Sequence, residues 1–160
     1  MSTLYVDTIN EKTSGNGVQI PGHVVQVVQS EISTSTIVSG NANWTAVTLT
    51  LTITPKFSTS KILISHNAGG IVQNTNDIGF RMKRDGTVIW TRGRIGFQNV
   101  GGSWTPISWT MEYLDSPATA SAITYSWEIK QDNASGFLRW NGSGASGDGI
   151  AIATAMEIAQ

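Results

Sequence analysis

The stretch Val47-Thr48-Leu49-Thr50-Leu51-Thr52-Ile53-Thr54 has an apolar residue at every odd position and threonine at every even one. Successive side chains on a strand point to opposite faces, so this segment buries one face and wets the other. Residues 55–60 (Pro-Lys-Phe-Ser-Thr-Ser) break the alternation, and Lys61-Ile62-Leu63-Ile64-Ser65 resumes it as a short apolar run. The pair reads as two strands of one β-sandwich, with the rest of the chain laid beside them.

Moving outward, the pattern recurs at short intervals. Val24 to Gln29 is a valine-rich strand, Ile37-Val38 an edge segment, and residues 67–77 a loop with two glycines. Ile78, Phe80 and Met82 alternate with Gly79, Arg81 and Lys83, and Val88-Ile89-Trp90 follows an Asp85-Gly86 pair. Asp-Gly between two strand patterns predicts a hairpin with a type I′ turn, which needs positive φ at both central residues. Arg94 to Phe97 extends this sheet. Ile107, Trp109, Met111 and Tyr113 form one aromatic strand, and Ile123, Tyr125, Trp127 and Ile129 another, side by side or facing across the core. Phe137 to Trp140 is a short strand and residues 141–149 a polar loop. Ile150 to Ile158 is a final strand, apolar on both faces and therefore central or covered. The predicted class is all-β, an antiparallel sandwich of eight to ten strands with jelly-roll topology as the expectation.

Residues 1–22 read differently. Leu4, Val6 and Ile9 suggest one short strand and Val18 to Ile20 a second, separated by the turn-rich Glu11-Lys12-Thr13-Ser14-Gly15-Asn16-Gly17. Two such strands bury too little apolar surface to stand alone and need a partner. The expected division is an attachment segment over 1–22 and a head over 23–160.

Composition narrows the function. Ser and Thr fill 36 of 160 positions, Gly adds 17, and 13% of residues are charged, which favours strands and turns. A net charge of −1 gives no basic field for nucleic acid. Without cysteine there is neither a disulfide nor thiol catalysis. No apolar run approaches the ~18 residues that span a bilayer, so no membrane insertion is expected. Met1 to Asp7 has neither the basic start nor the apolar stretch of a signal peptide, so synthesis in a cytoplasm is expected.

Residues 4–22, Leu-Tyr-Val-Asp-Thr-Ile-Asn-Glu-Lys-Thr-Ser-Gly-Asn-Gly-Val-Gln-Ile-Pro-Gly, resemble the attachment or shaft segment of bacteriophage tail fibre proteins, those of marine and cyanobacterial phages especially. Val24 to Gln29 is similar to the strand that opens their distal domain. Residues 53–64, Ile-Thr-Pro-Lys-Phe-Ser-Thr-Ser-Lys-Ile-Leu-Ile, resemble that domain's hairpin, and residues 155–160 resemble its C-terminus. The resemblance implies a virion protein of the tail, made in the host cytoplasm. It implies a trimeric jelly-roll head, docked on other virion proteins or sister chains through Leu4, Val6, Ile9, Val18 and Ile20. With one EKTSGNG unit in place of a long shaft, a short, knob-like protein fits best. A capsid decoration or head-fibre protein is the alternative, and a polysaccharide depolymerase a third reading.

No residue set argues for catalysis, cofactor or metal. His23 and His66 sit in or beside strand patterns, there is no nucleophile elbow, and the eleven carboxylates lack metal-binding spacing. Glu112 and Glu128, on polar faces of two aromatic strands, are the one conceivable glycosidase pair. Of six Trp, Trp109 and Trp127 are in phase with apolar neighbours and belong to the core. Trp44, Trp104 and Trp140 lie near loops, where capping the sandwich ends or filling an interface is the more economical reading. Exposed rings also stack on sugars, with Asn or Ser beside them holding hydroxyls. Ser103 with Trp104, and Trp140 with Asn141, are therefore the candidate sites for a host surface glycan or protein. Arg81, Lys83, Arg84, Arg92 and Arg94 form the basic cluster, read as a solvated hairpin face or a contact to anionic polysaccharide.

Overall fold

A computed structural model describes residues 5–39, 43–69, 71–73, 77–96, 108–131, 137–141 and 149–160. Eleven strands and no helix occur among them. They are β1 (Val24–Ile32), β2 (Thr36–Ser39), β3 (Thr45–Ile53), β4 (Lys61–Asn67), β5 (Ile71–Gln73), β6 (Asp77–Arg84), β7 (Thr87–Gly96), β8 (Thr110–Asp115), β9 (Ile123–Gln131), β10 (Phe137–Trp140) and β11 (Ala151–Ile158).

The strands form two four-stranded sheets, ordered β1-β11-β4-β8 and β3-β9-β6-β7, and a small third, β2-β10-β5. All pairings are antiparallel. With the three short strands set aside, the other eight alternate between sheets, apart from the β6–β7 hairpin within one of them, in the double-sheet order of a jelly roll.

Periodicity fixes the inward faces. In β3, Val47, Leu49, Leu51 and Ile53 are buried while Thr48, Thr50 and Thr52 face water. In β9, Ile123, Tyr125, Trp127, Ile129 and Gln131 are buried. β11 turns Ala151, Ala153 and Ala155 inward and leaves Ile152, Met156 and Ile158 on the outer face. It pairs with β1 and β4 and so is central. At the β6–β7 turn, Asp85 and Gly86 have φ of 49° and 81°, the pair of positive angles a type I′ turn requires. β7 runs on through the predicted extension to Gly96 as one strand, with a register shift between Arg92 and Ile95, and Phe97 lies outside the described residues.

Two local expectations need correction. The predicted loop over residues 67–77 contains β5, an edge strand that pairs with β10. No strand forms among residues 5–22, because a strand needs a partner ladder and this segment has none. The two aromatic strands lie in different sheets.

Aromatic rings fill that core. The His66 ring on β4 stacks 4.8 Å from Trp127, 5.4 Å from Phe80 and 5.8 Å from Trp140. Phe80 meets Trp109 edge-on at 4.4 Å. At one end, Tyr125 of β9 donates its hydroxyl to buried Asp115 of β8 at 2.7 Å, and Arg84 of β6 donates to both oxygens of the same carboxylate at 2.9 Å. This link joins the two sheets. Burial first, and then the bond to Asp115, pushes the Tyr125 phenol well above the usual tyrosine range.

Burial pushes His66 down to about 3, with the backbone of Ile152 opposing only in part. Below the unfolded value of 6.5 the unfolded chain takes up a proton that the folded chain refuses. Stability should therefore fall from pH 6.5 towards pH 3, at roughly 1 kcal/mol per pH unit at full slope. Urea midpoints between pH 6.5 and 5 should show this fall, and His66→Phe should flatten it. Tyr125→Phe should cost about 2 kcal/mol, the worth of a buried bond to a charged group, measured by the same titration at pH 7.

Candidate functional site

Ser103 and Trp104 lie outside the described residues. Trp140 and Asn141 do not form an exposed sugar platform, since both are fully buried. Alternation in β10 turns Leu138 and Trp140 inward, where the Trp140 ring joins the His66 stack. Asn141 follows with φ 60°, and its Nδ2 donates to the carbonyls of Ile32 at 2.9 Å and Thr34 at 3.3 Å. It ties the β1–β2 connection to the end of β10. Gly69 must stay small beside it, because a Cβ there would come within 2.4 Å of both Asn141 Oδ1 and the Ile150 carbonyl oxygen.

The acids are divided by structure. Glu112 of β8 points out from one sheet and Glu128 of β9 out from the other, so they cannot flank one bond and the glycosidase pair falls away. Buried Glu157 accepts the backbone N–H groups of Lys56, at 2.9 Å, and Phe57, at 3.0 Å, and Gln26 Nε2 at 2.6 Å. Burial raises its carboxyl, but these donors outweigh it and hold the group below the usual range. Glu157 is thus a pin for the β3–β4 connection. Among the described residues no three His, Cys, Asp or Glu gather to hold a metal ion.

Two unlike outer surfaces remain. On β3-β9-β6-β7 the face is threonine-rich and charged. Glu128 accepts bonds from Arg81 and Lys83. Burial raises the Glu128 carboxyl, yet the two cations hold it below the usual range. The Arg81 guanidinium sits 4.4 Å over the Trp44 ring, and Lys130 Nζ lies 5.4 Å from it. Arg84 is committed to Asp115, while Arg92, opposite inward-facing Phe80 in the register, is exposed off the other side of edge strand β7. The Arg94 side chain lies outside the described residues. Sequence reading placed Trp44 near a loop and missed that it spans this face, because its contacts come from β6 and β9.

The outer face of β1-β11-β4-β8 is apolar across its width. Register places Val27, Met156, Leu63 and Leu114 in one row over all four strands, and Val24, Ile158 and Lys61 in the next. Val24, Val27 and Leu114 are 52%, 55% and 47% exposed. The following rows, Gln29-Thr154-Ser65-Glu112 and Glu31-Ile152-Asn67-Thr110, are mostly polar.

Residues 5–22 leave from the apolar end of this sheet. Gly22 N–H donates to the Ala159 carbonyl at 2.8 Å, and Gln19 Nε2 reaches Gln160 O at 3.0 Å and Thr59 Oγ1 at 3.2 Å. Val18 and Ile20 are half-buried. Glu11 closes its turn by accepting Gly15 N–H at 2.8 Å and Gly17 N–H at 2.7 Å, and these bonds hold its carboxyl below the usual range. A cavity of about 330 Å³ separates this turn from Phe57. Further out, Tyr5, Val6 and Ile9 are 90%, 52% and 58% exposed, and Leu4 lies outside the described residues.

Solved structures superimpose loosely. The VP2 subviral particle of infectious bursal disease virus matches at 13% identity and a TM-score of 0.38, covering 85% of this chain and 42% of that one. T=1 particles derived from infectious bursal virus match at 12% identity and 0.42, covering 98% and 44%. Dimeric latent PorU of Porphyromonas gingivalis matches at 7% identity and 0.36, covering 88% and 11%. The chain spans less than half the length of each, and superpositions this loose carry no statement about function. No protein-family model and no curated protein matches the chain.

Trp140→Ala should destabilise the fold by about 3–5 kcal/mol, as truncation of a buried aromatic does. Thermal unfolding checks this, and a loss of binding in that variant would report a damaged core.

Proposed function

We propose that the chain is a phage virion structural protein, a short tail fibre or tail-tip component that takes part in adsorption to the host surface. The sequence resemblance of residues 4–29 and 53–64 to tail fibre proteins supports this reading. The observation that carries it is the arm: residues 5–10 are all exposed, bear Tyr5, Val6 and Ile9, and lead into residues 19–22, which are hydrogen-bonded to the body. An exposed apolar peptide of this kind suits attachment to a neighbour in a particle. Three copies form the head, as in the fibres the sequence resembles.

The surface offered to the host is the threonine-rich face with Trp44, Arg81, Lys83 and Lys130. Its cations and hydroxyls suit an anionic surface polysaccharide. This assignment replaces Trp140 and Asn141, which cannot reach a ligand.

Purified protein added to host cells should slow adsorption of the virions that carry it, and antibody labelling should mark the tail. Lys83→Glu with Lys130→Glu should weaken the competition several-fold, more so at low salt. Undiminished competition by this variant removes the face from the host contact. Label on capsid lattice points replaces the tail reading with that of a decoration protein.

A further inference from the structure

The apolar row on β1-β11-β4-β8 and the arm are two halves of one contact that a single copy leaves open. We infer that the outer face of this sheet is the seat for the arm of a second copy, residues 1–10 lying across Val27, Met156, Leu63 and Leu114. This rests on the reading of the arm as an attachment segment and names its partner as another copy of the same chain.

Three observations select that occupant. The arm leaves the body beside Val24 and Ile158, so it begins at the apolar end of the face. Ten residues ahead of the Glu11 turn span about 33 Å when extended, more than the roughly 19 Å width of four strands about 4.8 Å apart. Area supplies the third. Four strands about 4.8 Å apart and about 23 Å long make a face of roughly 440 Å². A stable interface buries about 800 Å² on each partner. Face against face alone falls short. Each copy giving an arm and receiving one adds a second area of the same order and reaches the requirement.

The chemistry is matched as well. Leu4, Tyr5, Val6 and Ile9 are the arm's apolar residues, while Ser2, Thr3, Asp7, Thr8 and Asn10 keep it soluble until it docks. The flanking row Gln29-Thr154-Ser65-Glu112 offers hydrogen-bond groups beside the apolar one.

The test is mass in solution joined to disulfide trapping, which the absence of native cysteine keeps clean. Light scattering on the full chain at tens of micromolar should give a multiple of 17.1 kDa. Val27→Asp with Leu114→Asp, and separately removal of residues 1–10, should each return it to 17.1 kDa with the far-ultraviolet strand spectrum kept. Val6→Cys on one tagged copy, mixed with Leu114→Cys on another, should cross-link between copies faster than either variant does with itself. A single-copy mass for the unaltered chain overturns the inference. So does an unchanged mass in either altered form, or a Val6→Cys, Leu114→Cys double variant that links only within one chain. Arm-dependent incorporation into virions by a protein that is single in solution would overturn the inference and leave the attachment role standing.

Discussion

Small side chains on one central strand set the spacing of this sandwich. β11 lies between β1 and β4 and turns Ala151, Ala153 and Ala155 into the core. Facing sheets stand about 10 Å apart, and a protein interior fills that gap at crystal-like density. Methyl groups on one side leave room for large rings on the other, and Phe80, Tyr125, Trp127 and Trp140 take it. The flat His66 ring slots among them. The larger residues of β11 then have only the outer face to occupy, which is how Ile152, Met156 and Ile158 come to lie there.

Three of the polar groups inside such a core close it. Glu157 caps two amides of the β3–β4 connection, Asp115 gathers Tyr125 and Arg84 from the opposite sheet, and Asn141 holds the β1–β2 connection. Each meets donors or acceptors that would otherwise be stranded away from water, so each is costly to remove. None of the three is free for chemistry.

Much of this was legible in the sequence because alternation is a local property. The threonine row of β3, the Asp85–Gly86 turn and the two-sided β11 needed nothing beyond their own neighbours. The misreadings share a physical cause. Trp140 looked like a loop ring because it precedes a polar stretch, yet the phase of a four-residue strand beside β2 and β5 turns it inward. Asn141 looked like a sugar ligand, yet its amide answers carbonyls more than a hundred positions away. Glu112 and Glu128 looked adjacent because their strands follow one another in the chain, whereas the jelly roll sends β8 and β9 to opposite sheets. Residues 18–20 had the composition of a strand without a ladder to join. Long-range pairing decides all four, and periodicity does not carry it.

The two exteriors of the sandwich are opposites, one greasy and one hydroxylated. Copies that met only face to face would close as a pair, whereas an arm handed on to the next copy closes into a ring only if the rotation between copies divides a full turn, and otherwise runs on as a filament. The alanine row that forces bulk to the outside of β11 thus decides which side of the sandwich any such contact can use.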